Sequence, residues 1–188
     1  MEINRCSWCG TDPLYVAYHD TEWGEPVKDD DRLFEFLTLE TFQAGLSWIT
    51  VLRKRENFRK AFDAFNYKKI AHYPDTKVEA LLMDAGIIRN RLKVNATITN
   101  AQAFIKIQKE FGSFSDYIWG FVDGKPLQTH CKIPSDVPAN TELSTELSKD
   151  LKKRGFKFVG STVIYALMQA IGMVNDHGED CFRYKALS

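Results

Sequence analysis

The chain has 188 residues, 44% of them hydrophobic, with 25 Lys+Arg against 25 Asp+Glu. That length and apolar content support one substantial core and exclude a disordered chain. Neutrality hides an asymmetry: residues 1–50 carry 3 Lys/Arg against 10 Asp/Glu, and residues 51–110 carry 13 against 6. The middle third is therefore the candidate polyanion face, with solvated helix faces as the plainer alternative.

Met1 is followed by Glu2 and Asn4-Arg5 without an apolar stretch, and residues 163–174, the longest near-apolar segment, contain Gln169 and are too short to span a bilayer. A soluble cytoplasmic protein with no membrane partner is expected. Cys6, Cys9, Cys131 and Cys181 are then read as metal ligands or buried thiols rather than disulfides.

In chain order, residues 6–26, rich in Trp, Tyr and Gly, show no sustained helical period and predict an irregular arm. Asp29, Asp30 and Asp31 precede L-F-E-F-L-T-L-E and predict a helix with acid at its N-terminus and Glu40 near its end. Gly45 breaks this run. Ser47 is expected to cap a second helix over residues 47–65, whose cations Arg53, Lys54, Arg55, Arg59 and Lys60 follow the aromatics. Asp75 is placed as the cap of a third helix. Then D-A-G-I-I-R-N-R (residues 84–91) turns at Gly86 into a long helix that ends at Gly112, making a hairpin. Ser115-Asp116 starts a short aromatic helix, residues 127–140 form an extended loop, a helix spans residues 141–154, and Ser161 caps a final one ended by Gly172. About seven helices and no alternating strand predict an all-α fold in one domain, residues 1–188.

Three constellations carry chemistry. Cys6, Cys9 and His19 near one end, with the H-x3-C pair His177 and Cys181 near the other, give five candidates for the four positions of a tetrahedral zinc site; buried thiols and hydrogen-bonded imidazoles are the plainer reading. A closed four-ligand site would be structural and would staple the chain ends together. Trp8, Tyr15, Tyr18, Trp23 and Trp48 flank the stretch holding Glu40, and aromatic faces with a carboxylate are what a flipped base needs, although aromatics commonly serve as core. The Gly86 turn beside Arg89, Arg91 and Lys93 offers helix N–H groups and cations to phosphate.

Y-H-D-T-E-W-G (residues 18–24), L-E-T-F-Q-A-G-L-S-W-I-T-V-L-R-K-R-E-N (39–57), D-A-G-I-I-R-N-R (84–91), L-K-K-R-G-F-K-F-V-G (151–160) and V-N-D-H (174–177) strongly resemble the bacterial 3-methyladenine DNA glycosylase I family. The resemblance spans nearly the whole chain. It implies a divergent helix-hairpin-helix glycosylase fold, with the hairpin region at about residues 75–110. It also implies ends at residues 1–28 and 174–188 stapled by one structural zinc on Cys6, His19, His177 and Cys181, with Cys9 a departure able to exchange with Cys6. Glu40 becomes the catalytic residue, and Tyr18, Trp48, Trp8 and Trp23 bind the base. Gln43, Gly45 and Leu46 form the element that enters the duplex, joined at the DNA by Gly86, Arg89 and Arg91. The expected activity is monofunctional excision of 3-methyladenine from alkylated double-stranded DNA, releasing the free base and leaving an abasic site, by a monomer in the bacterial cytosol. The hairpin departs from the wider superfamily in lacking its usual Pro and second Gly, and no Asp or Glu lies between Asp84 and Glu110 to serve as the usual catalytic acid. The competing readings are a zinc-stapled nucleic-acid-binding module without catalysis and a zinc-dependent hydrolase of small molecules, the latter disfavoured by a closed site.

Overall fold

The computed structural model describes residues 3–188. In order the chain forms α1 (Pro13–Thr21), α2 (Asp30–Gln43), α3 (Trp48–Arg53), α4 (Arg55–Ala61), α5 (Tyr67–Ile70), α6 (Asp75–Met83), α7 (Arg91–Phe111), α8 (Phe114–Trp119), α9 (Glu142–Lys153), α10 (Ser161–Ala170) and α11 (Phe182–Ala186). Two-residue strands, β1 (Leu127–Gln128) and β2 (Val174–Asn175), pair in parallel with Leu127 opposite Val174. The all-α expectation holds.

The arrangement is centred on α2. Asp29 caps it by accepting from the Arg32 N–H, and Asp30 and Asp31 occupy the first turn, where the helix dipole favours acid. Leu33, Phe34, Phe36, Leu37, Leu39 and Phe42 are all buried, so the helix is apolar nearly all round and must be enclosed by others. It packs against α3, α7, α8 and α10. Phe34 meets Phe104 of α7 at 5.2 Å between ring centroids, and Phe42 meets Phe58 of α4 at 4.8 Å. Glu40 rides on this enclosed helix at 3% exposure, so its carboxylate cannot turn out to bulk water.

Several local expectations give way to tertiary packing. The arm is not irregular throughout: α1 forms because Asp12 accepts from the Leu14 and Tyr15 N–H groups and Pro13 takes the first helical position. Its buried side chains are Tyr18 and His19, too few for a visible period. The single helix expected over residues 47–65 is broken at Lys54, where α3 gives way to α4, and again beyond Phe62, where Ala64 has φ 55°. Across the second break Phe62 and Phe65 stack at 6.2 Å in the same core. Ser47 precedes α3 but bonds the Thr50 hydroxyl instead of capping the backbone. Asp75 and Ser161 are first helical residues after Pro74 and Gly160, and Ser113, not Ser115, caps α8. The short α5 and α11 are absent from the sequence reading, although Asn66 caps α5 by accepting from the Lys69 N–H.

The two ends of the chain meet beside α10. The Val27 N–H donates to the Ile171 carbonyl at 2.9 Å, and Gly172, at φ +77°, lies so close to residues 24–26 that an added Cβ would sit 2.6 Å from the Gly24 oxygen. Gly172→Ala combines a left-handed backbone with a clash against main chain and is expected to cost about 3 kcal/mol or more. Urea unfolding would measure this; a loss below about 1 kcal/mol would mean that the two segments separate easily.

Candidate functional site

Glu40 faces a cavity of about 660 Å³ whose lining includes Trp8, Tyr15, Tyr18, Trp23, Gln43 and Trp48. Tyr18 comes from α1 and Trp48 from the first position of α3; their rings are 5.4 Å apart and tilted by 41°. Trp8 packs at 5.0 Å from both Tyr15 and Trp23. Arg53 fixes α3 to α1 by donating to Asp12 at 2.7 Å, so the helices that supply the two facing rings are tied at the head of α1.

The floor of the cavity is polar and unsatisfied. Glu40 Oε2 and Trp48 Nε1 are buried and have no hydrogen-bond partner. Burial alone pushes the Glu40 carboxyl up to about 8. Such groups are costly unless a ligand satisfies them. Tyr18, fully enclosed, has its phenol raised by burial and then by Glu40, and stays neutral.

Behind the aromatic wall, Cys6, His19, His177 and Cys181 bring four ligand atoms within 4.8 Å of one another. Cys6 Sγ is 3.6 Å from His177 Nδ1, and Cys181 Sγ is 3.5 Å from His19 Nε2 and 3.6 Å from His177 Nδ1. A tetrahedral ion with metal–sulfur bonds near 2.3 Å and metal–nitrogen bonds near 2.0–2.1 Å requires sulfur–nitrogen edges of about 3.6 Å, so the donor set fits zinc. The outer nitrogens are engaged: His19 Nδ1 lies 2.7 Å from Asp20 Oδ1, and His177 Nε2 lies 3.0 Å from the Trp23 carbonyl. Burial pushes the Cys6 thiol up to about 12 and draws His177 down to about 4. Cys9 stands outside the cluster, its thiol donating to the Cys6 carbonyl at 3.1 Å, so the five sequence candidates reduce to four.

The turn after α2 projects from the surface. Gly45 takes φ +82°, the Leu46 N–H closes on the Gln43 carbonyl at 2.7 Å, and Leu46 is 41% exposed. Gln43 belongs to both features, since it also lines the cavity. The second turn, between α6 and α7, is held by Asp84 Oδ1 accepting from the Gly86 N–H at 2.8 Å. A Cβ at Gly86 would press on Asn57 at 3.1 Å. Arg89 is exposed there, and Arg91 is exposed and paired with Glu79 at 2.7 Å. Two cations of the basic middle third, of which Lys93 was a candidate for phosphate, are instead internal: Arg55 is 8% exposed between Glu22 and Glu35, and Lys93 is 6% exposed.

The sequence reading also missed part of the cavity. Gln169 and Asp176 line its other side, and the Asp176 carboxylate accepts from Tyr165, Gln169 and Thr129. Its place beside His177 in V-N-D-H was the available signal. All five aromatics singled out from sequence, Trp8, Tyr15, Tyr18, Trp23 and Trp48, stand among its walls.

A flat, electron-poor molecule bearing hydrogen-bond donors is the ligand that such a cavity accommodates: rings on its sides, an uncompensated carboxyl at its floor. Comparison with known proteins agrees. Residues 8–184 match the methyladenine glycosylase family model, and the chain belongs to that family. It is 50% identical to DNA-3-methyladenine glycosylase 1 of Escherichia coli over 97% of both chains. A crystal structure of 3-methyladenine DNA glycosylase I superposes with TM-score 0.93 at 51% identity, covering 95% of this chain and 98% of that one. A tyrosine-to-phenylalanine variant of such a glycosylase, in complex with 3-methyladenine, superposes with TM-score 0.93 at 37% identity, covering 96% and 97%.

Proposed function

We propose that this chain takes 3-methyladenine out of alkylated duplex DNA into the Glu40 cavity and hydrolyses its N-glycosidic bond, leaving an abasic site. The observation that carries the mechanism is the buried, unpartnered carboxyl of Glu40 at the floor of an aromatic cavity. Methylation at N3 makes the attached base cationic. Its entry supplies Glu40 with both a charge and amino hydrogens, so the carboxyl gives up its proton and accepts hydrogen bonds from the base edge. Tyr18 and Trp48, in contact with each other, offer adjoining aromatic surface to the cationic ring, with Trp8 and Trp23 as outer walls, and neutral adenine gains less from both effects. The glycosidic bond breaks as the base leaves neutral; water adds to the sugar and its spare proton is released. A leaving group already activated by methylation needs no strong general acid, which accounts for the lack of an acidic residue after the hairpin.

The remaining assignments follow the same geometry. Leu46, presented by Gly45, enters the stack where the base has left, with Gln43 below it at the cavity mouth. The turn at Gly86, a helix-hairpin-helix element whose Gly86 N–H is taken by Asp84, grips phosphate through Arg89 and the first N–H groups of α7, with Arg91 released from an exposed ion pair that is worth little. One structural zinc on Cys6, His19, His177 and Cys181 fixes Trp8, Tyr18 and Trp23 by their chain neighbours and ring contacts. It supplies no reaction step. Among the described residues no helix is long and apolar enough to cross a membrane.

Chromatographic analysis of bases released from methylated duplex DNA tests the reading. Free 3-methyladenine with little 7-methylguanine is the expected product. DNA binding by folded protein with no base release would instead make the chain a binding module.

A further inference from the structure

Lys93 is a lysine at 6% exposure, and no carboxylate of the described residues lies within ion-pair distance of it. A buried ammonium is unfavourable unless its donors are used. Its Nζ donates to the Phe42 carbonyl at 2.9 Å and the Ala44 carbonyl at 2.6 Å. These acceptors lie at the C-terminal end of α2, where the next helical turn is missing and the helix dipole is negative. Between and beyond them stand Gln43, Gly45 and Leu46. The Lys93 backbone N–H is meanwhile accepted by Asn90, the residue that caps α7 at the end of the Gly86 turn. A second lysine, Lys54, reaches the Ala85 carbonyl at 3.4 Å from the helix pair following the projecting turn. The two turns are therefore tied together by lysines, Lys54 at the surface and Lys93 from inside the protein, and Lys93 is the link that holds the projecting one.

We propose that Lys93 is a positioning residue for base extrusion: its ammonium clamps the carbonyls of the 42–44 segment and sets the projection of Leu46 relative to the hairpin turn. This rests on the reading of residues 43–46 as the element that enters the duplex. Lys93 does not line the cavity, so it does not touch the base. It follows that Lys93 matters for a base that must leave a stack and not for one already unstacked.

The test compares wild type, Lys93→Met, Lys93→Gln and Lys93→Arg in single-turnover release of 3-methyladenine from methylated duplex and methylated single-stranded DNA, with binding of free 3-methyladenine measured on the same samples. Lys93→Met is expected to slow release from duplex at saturating enzyme by about tenfold or more, while single-strand release and free-base affinity change by less than about twofold. Lys93→Arg, which keeps charged donors, should recover part of the duplex rate. Lys93→Gln carries the same expectation as Lys93→Met and serves where the methionine variant does not fold. Equal losses on both substrates, or no loss on duplex, would overturn the clamp. Failure of wild type to release base from either substrate would instead overturn the proposed function, so the two failures are distinguishable.

Discussion

Glu40→Gln is expected to lower 3-methyladenine release by about 100-fold or more and, in the same protein, to raise thermal stability at pH 8 while leaving it unchanged near pH 4.5. Both halves come from one side chain. Glutamine keeps the size and one acceptor but cannot supply the negative charge that a cationic base requires. In the free protein the sign reverses, because the charge has no partner. Glu40 ionises at its usual 4.5 in the unfolded chain and at about 8 in the folded one. Between those values the folded state binds more protons than the unfolded state, so the wild type loses stability as pH rises through this window. Below the window the two proteins match. Above it the difference is constant, on the order of 5 kcal/mol. Unfolding curves of both proteins at pH 4.5, 6, 7 and 8 read the effect as a widening gap, equivalent at pH 8 to about ten degrees or more in Tm for a chain of this size. Parallel pH profiles would mean that Glu40 is solvated in the free enzyme, and near wild-type excision by the variant would remove its electrostatic role.

The same carboxyl illustrates what a sequence exposes and what it conceals. Glu40 was legible because a lone acid in an apolar run bounded by Phe36, Phe42 and Trp48 has few explanations. α2 was legible for similar reasons, with acid before it and core residues on every side. Metal ligands are visible by type, yet Cys6 and Cys9 were equivalent on spacing; the carbonyl that engages the Cys9 thiol belongs to Cys6 itself, a matter of backbone path and not of pattern. Arg55 and Lys93 were opaque in a different way. Both looked like surface cations among other cations. Their burial depends on partners 20 to 51 residues distant, Glu35 for one and the Phe42 carbonyl for the other, which no local rule pairs. α1 was missed because its helix is supported at its head by Asp12 and Pro13 rather than by an amphipathic period.

Removal of the proposed zinc is the second perturbation with a large expected effect, and it separates the cavity from the turns proposed to face DNA. Extensive chelation should lower stability by several kcal/mol, less than the ~10–16 kcal/mol that structural zinc supplies to small zinc-finger peptides, because Tyr18 and the segment at Gly172 remain packed on the core. The local consequence is more specific. His19 lies 5.2 Å from the Trp8 ring and directly follows Tyr18, while His177 lies 4.7 Å from the Trp23 ring and is hydrogen-bonded to the Trp23 carbonyl. Loss of the ion frees both imidazoles, so the walls of the cavity loosen and affinity for free 3-methyladenine should fall by about tenfold. The Lys93 clamp and the Gly86 turn lie on other elements, so binding to undamaged duplex should change little. Metal content of Cys6→Ser, Cys9→Ser and Cys181→Ser decides the ligand set: the first and third should lose the ion, and the second should retain one per chain. Retention by Cys6→Ser with loss by Cys9→Ser would move the ligand to the second cysteine of the C-x2-C pair. The peptide connecting Cys6 to Trp8 would then have to rotate, carrying that wall of the cavity with it.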